Sequence, residues 1–518
     1  MTLTLTVDAV LRARSISFRP TEEEVRELAE SMPGAHRTRY GSMNVHTRAQ
    51  DRARHATFVV TDRPYQQPGQ TIGRAEGALI AAVQDAYIQD QDMVVVDGFI
   101  GHAGPHRAPA RLIVERANAN IAGMQRHLYF DPVAGGASFT PELTVVCTPN
   151  LGVPGYADGR VVAVWPEDGV TRVVGSDYFG ETKKALMRMW SGRVQDAGGL
   201  VMHAACKVVP TTRGPRTTLI VGQSGTGKST TTFARHDGSR VVQDDFVGLL
   251  PGGRVLASED GCIEKTYGLD PLLQPVIHAA ATGPDAYLEN VAQHGGELDF
   301  MDRSRTQHGR AVFNLRSIDR FPPGQVPPAS VLLILNRDAH VTPAVTRIDP
   351  GHAAGQFLLR QVRGPGAAGR QESGGPIKAD PLAHEYARQG NRLAELLADH
   401  PMEVFLLNTG RVGGQPDGRS KAIAVADTAA IVAAAAEGTI TWDADPDGFG
   451  QVAAEVPGID DRELLQPRLL YARQGRTAEY RQRTGDLQHS AAQYLASLPG
   501  LDPRIAGSAG QRERRRVA

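Results

Sequence analysis

The run Gly222-Gln223-Ser224-Gly225-Thr226-Gly227-Lys228-Ser229 constrains this chain more than any other feature. It matches G-x-x-x-x-G-K-[ST] and follows residues 217–221 (TTLIV), an apolar run that reads as a strand. Thr230 and the residues after it open a helix, which completes the strand, turn and helix order that a phosphate cradle requires. Glycines at 222, 225 and 227 let the backbone turn sharply, so that successive N–H groups face phosphate oxygens. The helix N-terminus adds partial positive charge. Lys228 has the reach for β- and γ-phosphates, and the Ser229 hydroxyl is placed to ligate a divalent cation. A nucleoside triphosphate is the ligand that these residue types fit.

A phosphate cradle needs an acid to hold its metal. Val241 and Val242 end a second short strand, and Asp244 and Asp245 follow it, 16 and 17 residues beyond Lys228. Acids at the end of the next strand along the chain suit metal binding better than helix capping.

The rest of the chain sets this motif in a larger α/β frame. At 518 residues it exceeds one ordinary core, so two domains or more are expected. Lys and Arg number 56 against 57 acids, which gives no overall charge to draw the chain to nucleic acid or to a membrane surface. No window approaches the 18 or more apolar residues of a membrane span, and the first residues lack the order of a signal peptide. Cys147, Cys206 and Cys262 are odd in number and widely spaced, which fits a reducing cytoplasm better than a disulfide framework. A cytoplasmic protein is expected, with a monomer favoured.

Residues 20–32 read as a helix capped by Thr21 with Glu24 as its capping-box partner. Strands are expected at 56–60, 93–97 (closed by Gly98), 143–147 and 160–165, with Gly159 turning the chain before the last. Helices are expected at 74–87 and 111–127. Beyond the cradle, strands are expected at 331–335 and 404–407, a long mobile loop at 363–376, and a disordered basic tail from Gly507. The resulting division is 1–210 as a mixed α/β domain, 211–480 as a nucleotide- and metal-binding domain, and 481–518 as a C-terminal extension.

The segments flanking the cradle narrow the reading. GQSGTGKST, VVQDDF (241–246), SDYFGETKKALM (176–187), VMHAACKV (201–208), GCIEK (261–265), YLENV (287–291), LDFMDRSRTQHGRAVF (298–313), NTGRVGG (408–414) and DGFIGHAGPHR (97–107) lie in the order of the ATP-dependent phosphoenolpyruvate carboxykinases. The chain resembles that family over about residues 90–470. The resemblance implies an N-terminal domain and a C-terminal P-loop domain with the active site in the cleft between them. It also implies the conversion of oxaloacetate and ATP to phosphoenolpyruvate, ADP and carbon dioxide, with Mg2+ and Mn2+ as cofactors. By position, Lys184, His203 and Asp245 would hold the transition metal, and Lys184 would then need a depressed pKa. Ser229 would take the Mg2+ that travels with ATP, supported by Asp244. Lys183 and Lys228 would neutralise the transferring phosphate, and Arg48, Tyr178 and Arg310 would hold the small organic substrate.

The chemistry supports such a set independently. Loss of carbon dioxide from a β-keto acid leaves an enolate oxygen able to attack the γ-phosphate, and Lewis-acid and cationic groups stabilise its charge. Arginines hold carboxylates through paired hydrogen bonds. The sequence also departs from the family. Phe246-Val247-Gly248-Leu249 stands where Glu-His-Gly-Trp is usual, His46-Thr47-Arg48-Ala49 where Thr-Gly-Arg-Ser is usual, and Arg411 in place of a tryptophan. Residues 364–380 stand in place of a Cys-Phe-Gly-Ala-Pro-Phe stretch. The substrate and adenine residues have thus drifted more than those of phosphate and metal. That leaves two further expectations open: a kinase of this fold acting on another small molecule or protein, and a non-catalytic nucleotide-binding module.

Overall fold

The computed structural model describes residues 12–50, 53–62, 71–133, 135, 138–223, 225–234, 238–306, 308–362, 383–416, 418–448 and 450–509. Ser224, the expected loop at 363–376 and the end of the basic tail fall outside them.

The chain forms two compact units, Met1–Ala197 with Leu256–Asp319 and Gly198–Val255 with Arg320–Ala518. The division read from sequence does not anticipate the return of Leu256–Asp319 to the first unit. Its physical basis is a backbone ladder: Tyr287–Glu289 pairs in parallel with Met43–Val45 and antiparallel with Arg310–Asn314. Nor is the C-terminal region a separate extension. Helix Thr477–Ala496 packs within the second unit, where a Cβ on Gly355 would stand 3.2 Å from Leu495 Cδ1.

A nine-stranded mixed sheet dominates the first unit, with Asp92–Ile100, Ala108–Glu115 and Leu143–Thr148 adjacent near one edge. Helix Glu22–Glu30 carries the expected Thr21/Glu24 capping box. Helix Arg74–Ile88 and the strands at Thr57–Val60 and Val161–Trp165 also fall where the sequence places them. Two elements differ. The strand expected to stop at Gly98 runs on to Ile100, because Gly98, Phe99 and Ile100 continue the ladder opposite Ala110, Pro109 and Ala108; Gly98 itself leaves room for Tyr129, whose ring a Cβ would meet at 2.5 Å. The helix expected at 111–127 splits: Ala108–Glu115 is a strand fully paired with Asp92–Ile100, and only Ala119–Leu128 is helical. The cross-strand ladder outweighs the local helix preference of that run.

In the second unit an eight-stranded sheet runs Arg240–Gln243, Ala204–Val209, Arg216–Val221, Ala329–Asn336, Glu403–Asn408, Val345–Ile348, Gln451–Glu455 and Thr441–Ala444. Its parallel centre is Arg216–Val221, Ala329–Asn336 and Glu403–Asn408. Such strands read as continuous apolar runs because both faces are covered, and Leu332, Leu333, Ile334 and Leu335 are fully buried. Gly507–Ala509, expected to begin the disordered tail, form a 3-10 turn closed by Ser508 Oγ donating to the Ile505 carbonyl. All three cysteines are free thiols and buried. Among the described residues no helix is long and apolar enough to cross a membrane.

Candidate active site

Sheet order brings three strand ends of the second unit to one edge. Ala204 lies opposite Val221, and Cys206 opposite Gln243. Residues just before Ala204, just after Val221 and just after Gln243 are therefore neighbours. These are His203, the phosphate loop from Gly222, and Asp244 with Asp245.

The loop has the conformation its glycines permit. Gly225 and Gly227 have φ of +89° and +85°, and a Cβ on Gly222 would sit 2.5 Å from Thr226 Oγ1. Helix Lys228–Phe233 begins at Lys228. Lys228 Nζ is buried against Asp244, 3.3 Å from Oδ2 and in contact with its carbonyl, while Ser229 Oγ donates to Oδ2 at 3.1 Å. One carboxylate thus spans both the phosphate lysine and the hydroxyl expected to ligate Mg2+. Asp245 turns the other way, its Oδ1 2.9 Å from His203 Nε2, and Phe246 packs beside the imidazole with ring centroids 5.4 Å apart. An imidazole nitrogen next to a carboxylate oxygen, both partly accessible, is a donor pair suited to a divalent transition metal. The residues present fit the metals that the chemistry requires.

Four residues that the sequence did not single out complete this edge. Thr409 Oγ1 lies 2.6 Å from the Thr226 carbonyl and 3.1 Å from that of Asn336, which ties the loop to the end of the next parallel strand. Arg337 Nη1 donates to the Gly225 carbonyl at 2.9 Å. A cavity of about 200 Å³ opens beside the loop, lined by Gly227, Thr230, Arg337, Thr409, Ile423 and Thr428. Thr409 lies inside the NTGRVGG segment, and for Arg337 the available sequence signal was position: both follow the C-terminal ends of parallel strands, where α/β sheets place ligands.

The first unit gathers the residues expected to hold the organic substrate. Asp177 accepts from the backbone N–H groups of Arg48 and Ala49, both at 2.8 Å, and lies 3.4 Å from Arg48 Nε. Arg48 Nη2 also donates to Asn150 Oδ1 at 2.8 Å and to the Pro149 carbonyl at 3.0 Å. Tyr178 is the buried residue before helix Phe179–Asp196, which carries Lys183 and Lys184. Glu289 accepts from the N–H of Phe179 at 3.0 Å and lies opposite Arg310 in the neighbouring strand. Arg310 in turn lies opposite Lys265, whose pKa falls through burial and the nearby guanidinium. Arg48, Tyr178 and Arg310 are thus linked through Asp177 and Glu289, two acids absent from the sequence-based set. Lys184 is half-buried, whereas Lys183 is 1% exposed and pairs with the equally buried Glu259 at 3.1 Å.

Glu289 has no exposed surface, and burial pushes its carboxyl up to about 8 against the opposing pull of the Phe179 N–H and Arg310. The folded state therefore holds a proton that the unfolded chain releases above about 4.5. Stability falls as pH rises between those values, because the folded state binds more protons there. Glu289→Gln is expected to flatten that part of the profile of thermal midpoint against pH. An unchanged slope in the variant would assign the dependence to other groups.

Similarity to known proteins covers most of the chain. The family model for phosphoenolpyruvate carboxykinase matches residues 15–462. The phosphoenolpyruvate carboxykinase (ATP) of Geobacillus thermodenitrificans (strain NG80-2) is 29% identical over 445 residues, 82% of this chain and 81% of that protein. Its counterpart in Rhizobium etli (strain CIAT 652) is 29% identical over 416 residues, 76% and 75% of the two chains. That of Mesorhizobium japonicum (strain LMG 29417 / CECT 9101 / MAFF 303099) is 28% identical over 451 residues, 83% and 80%. With both the phosphate edge and the arginine–tyrosine cluster inside the matched span, the chain belongs to the ATP-dependent phosphoenolpyruvate carboxykinase family.

Proposed function

We propose that this chain converts oxaloacetate and ATP to phosphoenolpyruvate, ADP and carbon dioxide, and that it does so in the cytoplasm as a monomer. The observation that carries this reading is the pair of acids at one strand end with divided tasks. Asp244 engages Lys228 and Ser229, and Asp245 engages His203. A protein that only bound nucleotide would have no use for the second arrangement. Family membership favours oxaloacetate over another phosphoryl acceptor.

In this reading the loop amides and Lys228 hold the ATP phosphates, and the cavity by Ile423 and Thr428 takes the nucleoside. Ser229 and Asp244 would hold Mg2+, and Lys184, His203 and Asp245 would hold Mn2+. When bound, the metals supply Lewis-acid stabilisation of charge on the enolate and phosphoryl oxygens. Arg48 and Arg310 pair with the substrate carboxylates, and Tyr178 orients the substrate. Lys183 keeps its assignment as a phosphate-neutralising group, with Glu259 competing for its charge.

The test is ADP and phosphoenolpyruvate formation by purified protein with ATP, Mg2+ and Mn2+, with and without oxaloacetate. Both products are expected only when oxaloacetate is present. Nucleotide binding without either product would turn the reading towards another acceptor. Arg48→Ala is expected to raise KM for oxaloacetate about tenfold while leaving KM for ATP within about twofold. Equal changes in both constants would remove Arg48 from the substrate side. Light scattering on the eluting peak checks the monomer.

A further inference from the structure

Strand Ala204–Val209 lies between the loop strand, Arg216–Val221, and the strand that ends at the aspartate pair, Arg240–Gln243. Its middle carries a lysine with no exposed surface, Lys207. The ammonium donates to the Ala234 carbonyl at 2.7 Å and to the Thr231 carbonyl at 3.2 Å. Both carbonyls belong to the C-terminal end of the phosphate-loop helix, which is only six residues long. A helix of that length is not stable alone, and its last carbonyls lack partners within it. A cation there satisfies them and complements the negative end of the helix dipole.

We propose that Lys207 is a positioning residue for the nucleotide, fastening the far end of the phosphate-loop helix to the sheet so that Lys228 and Ser229 stand ready at the near end. The inference rests on the reading that this loop binds ATP. A lysine is an improbable choice for this place on packing grounds alone, since burying an ammonium is costly and, among the described residues, no carboxylate contributes to its environment. Thr218 and Val241 flank it in the sheet, Thr231 and Ala234 face it from the helix, and Ser239 Oγ approaches the same Ala234 carbonyl at 3.4 Å. Burial lowers the pKa of Lys207 to about 7, and no charged side chain among the described residues adds to the shift. The charge on this fastening is therefore lost just above neutral pH.

The experiment compares the parent protein with Lys207→Met, which keeps the length of the side chain without its donors. Calorimetric titration with ADP and with ATP, both with Mg2+, is expected to show Kd raised about tenfold for each. KM for oxaloacetate should be unchanged and kcat at saturating ATP within about threefold. Parent affinity should fall between about pH 7 and 8.5, and the variant should lack that fall; ionisation of the nucleotide itself is common to both. Lys207→Arg, which keeps the cation, should recover most of the affinity. Should Lys207→Met not fold, Lys207→Gln, with a neutral donor, carries the same comparison. Unchanged nucleotide affinity and identical pH profiles, with only the thermal midpoint altered, would make Lys207 merely structural and overturn the inference. A parent that binds neither nucleotide would overturn both the inference and the reading beneath it.

Discussion

Lys228→Ala is expected to lower turnover at least about 100-fold, roughly 2.7 kcal/mol of transition-state stabilisation. Lys228 has the reach for the β- and γ-phosphates, and charge grows on their oxygens during transfer. In the structure its ammonium is buried and held by Asp244. The truncation would also leave Asp244, 2% exposed, without that cation. A larger effect on kcat than on KM for ATP is therefore expected, measured by coupled ADP release across a full ATP titration. A loss below tenfold would mean that the phosphate is held elsewhere. Circular dichroism and a thermal midpoint for the variant separate a lost charge from a lost fold.

Asp245→Asn should be comparably severe, again at least about 100-fold in turnover, but through a different observable. Its carboxylate faces His203 at 2.9 Å, and the amide keeps the shape while removing the charge that would attract a divalent cation. The variant should need a much higher Mn2+ concentration for half-maximal activity. Its direct Mn2+ binding, followed by paramagnetic resonance without nucleotide, should weaken in parallel. Affinity for Mg2+-ADP should change little, because Ser229 and Lys228 engage the other acid, Asp244. A variant that bound Mn2+ as the parent does while losing ADP would exchange the tasks assigned to the two aspartates.

The two aspartates show how far sequence reasoning reaches. That both would lie by the cradle followed from local pattern: a short apolar strand, then acids, soon after a glycine-rich turn. Which acid serves which partner did not follow. Both lie in the bend just past the strand Arg240–Gln243, and only the neighbouring strand ends decide what each side chain meets there. His203 is the same case. Alone on an apolar run it reads as a core histidine, and strand pairing across Ala204–Val209 brings it to Asp245.

The strong local signals survived folding nearly intact. The capping box at Thr21, the phosphate loop with its left-handed glycines and the buried apolar strands at Ala329–Asn336 and Glu403–Asn408 each depend on residues near in sequence. The supporting residues did not. Asp177, Glu289, Thr409 and Arg337 act through partners far along the chain, Thr409 on Thr226 and Glu289 on Phe179. No spacing rule connects such positions. Lys207 is the limiting example, since in sequence it is one polar residue in a strand, and only the helix packed on that strand gives its charge something to hold.

By itself, then, the sequence determined the chemistry: a phosphate cradle, a metal-suited acid pair and the family order of the segments around them, all encoded over short spans where backbone geometry and residue type suffice. Tertiary structure alone decided the partners: Asp244 with the loop, Asp245 with His203, Asp177 with Arg48, and the return of Leu256–Asp319 to the first unit. The physical reason is that hydrogen-bonded registers and helix packing are long-range, so their energies depend on surfaces that do not exist until the sheets have formed.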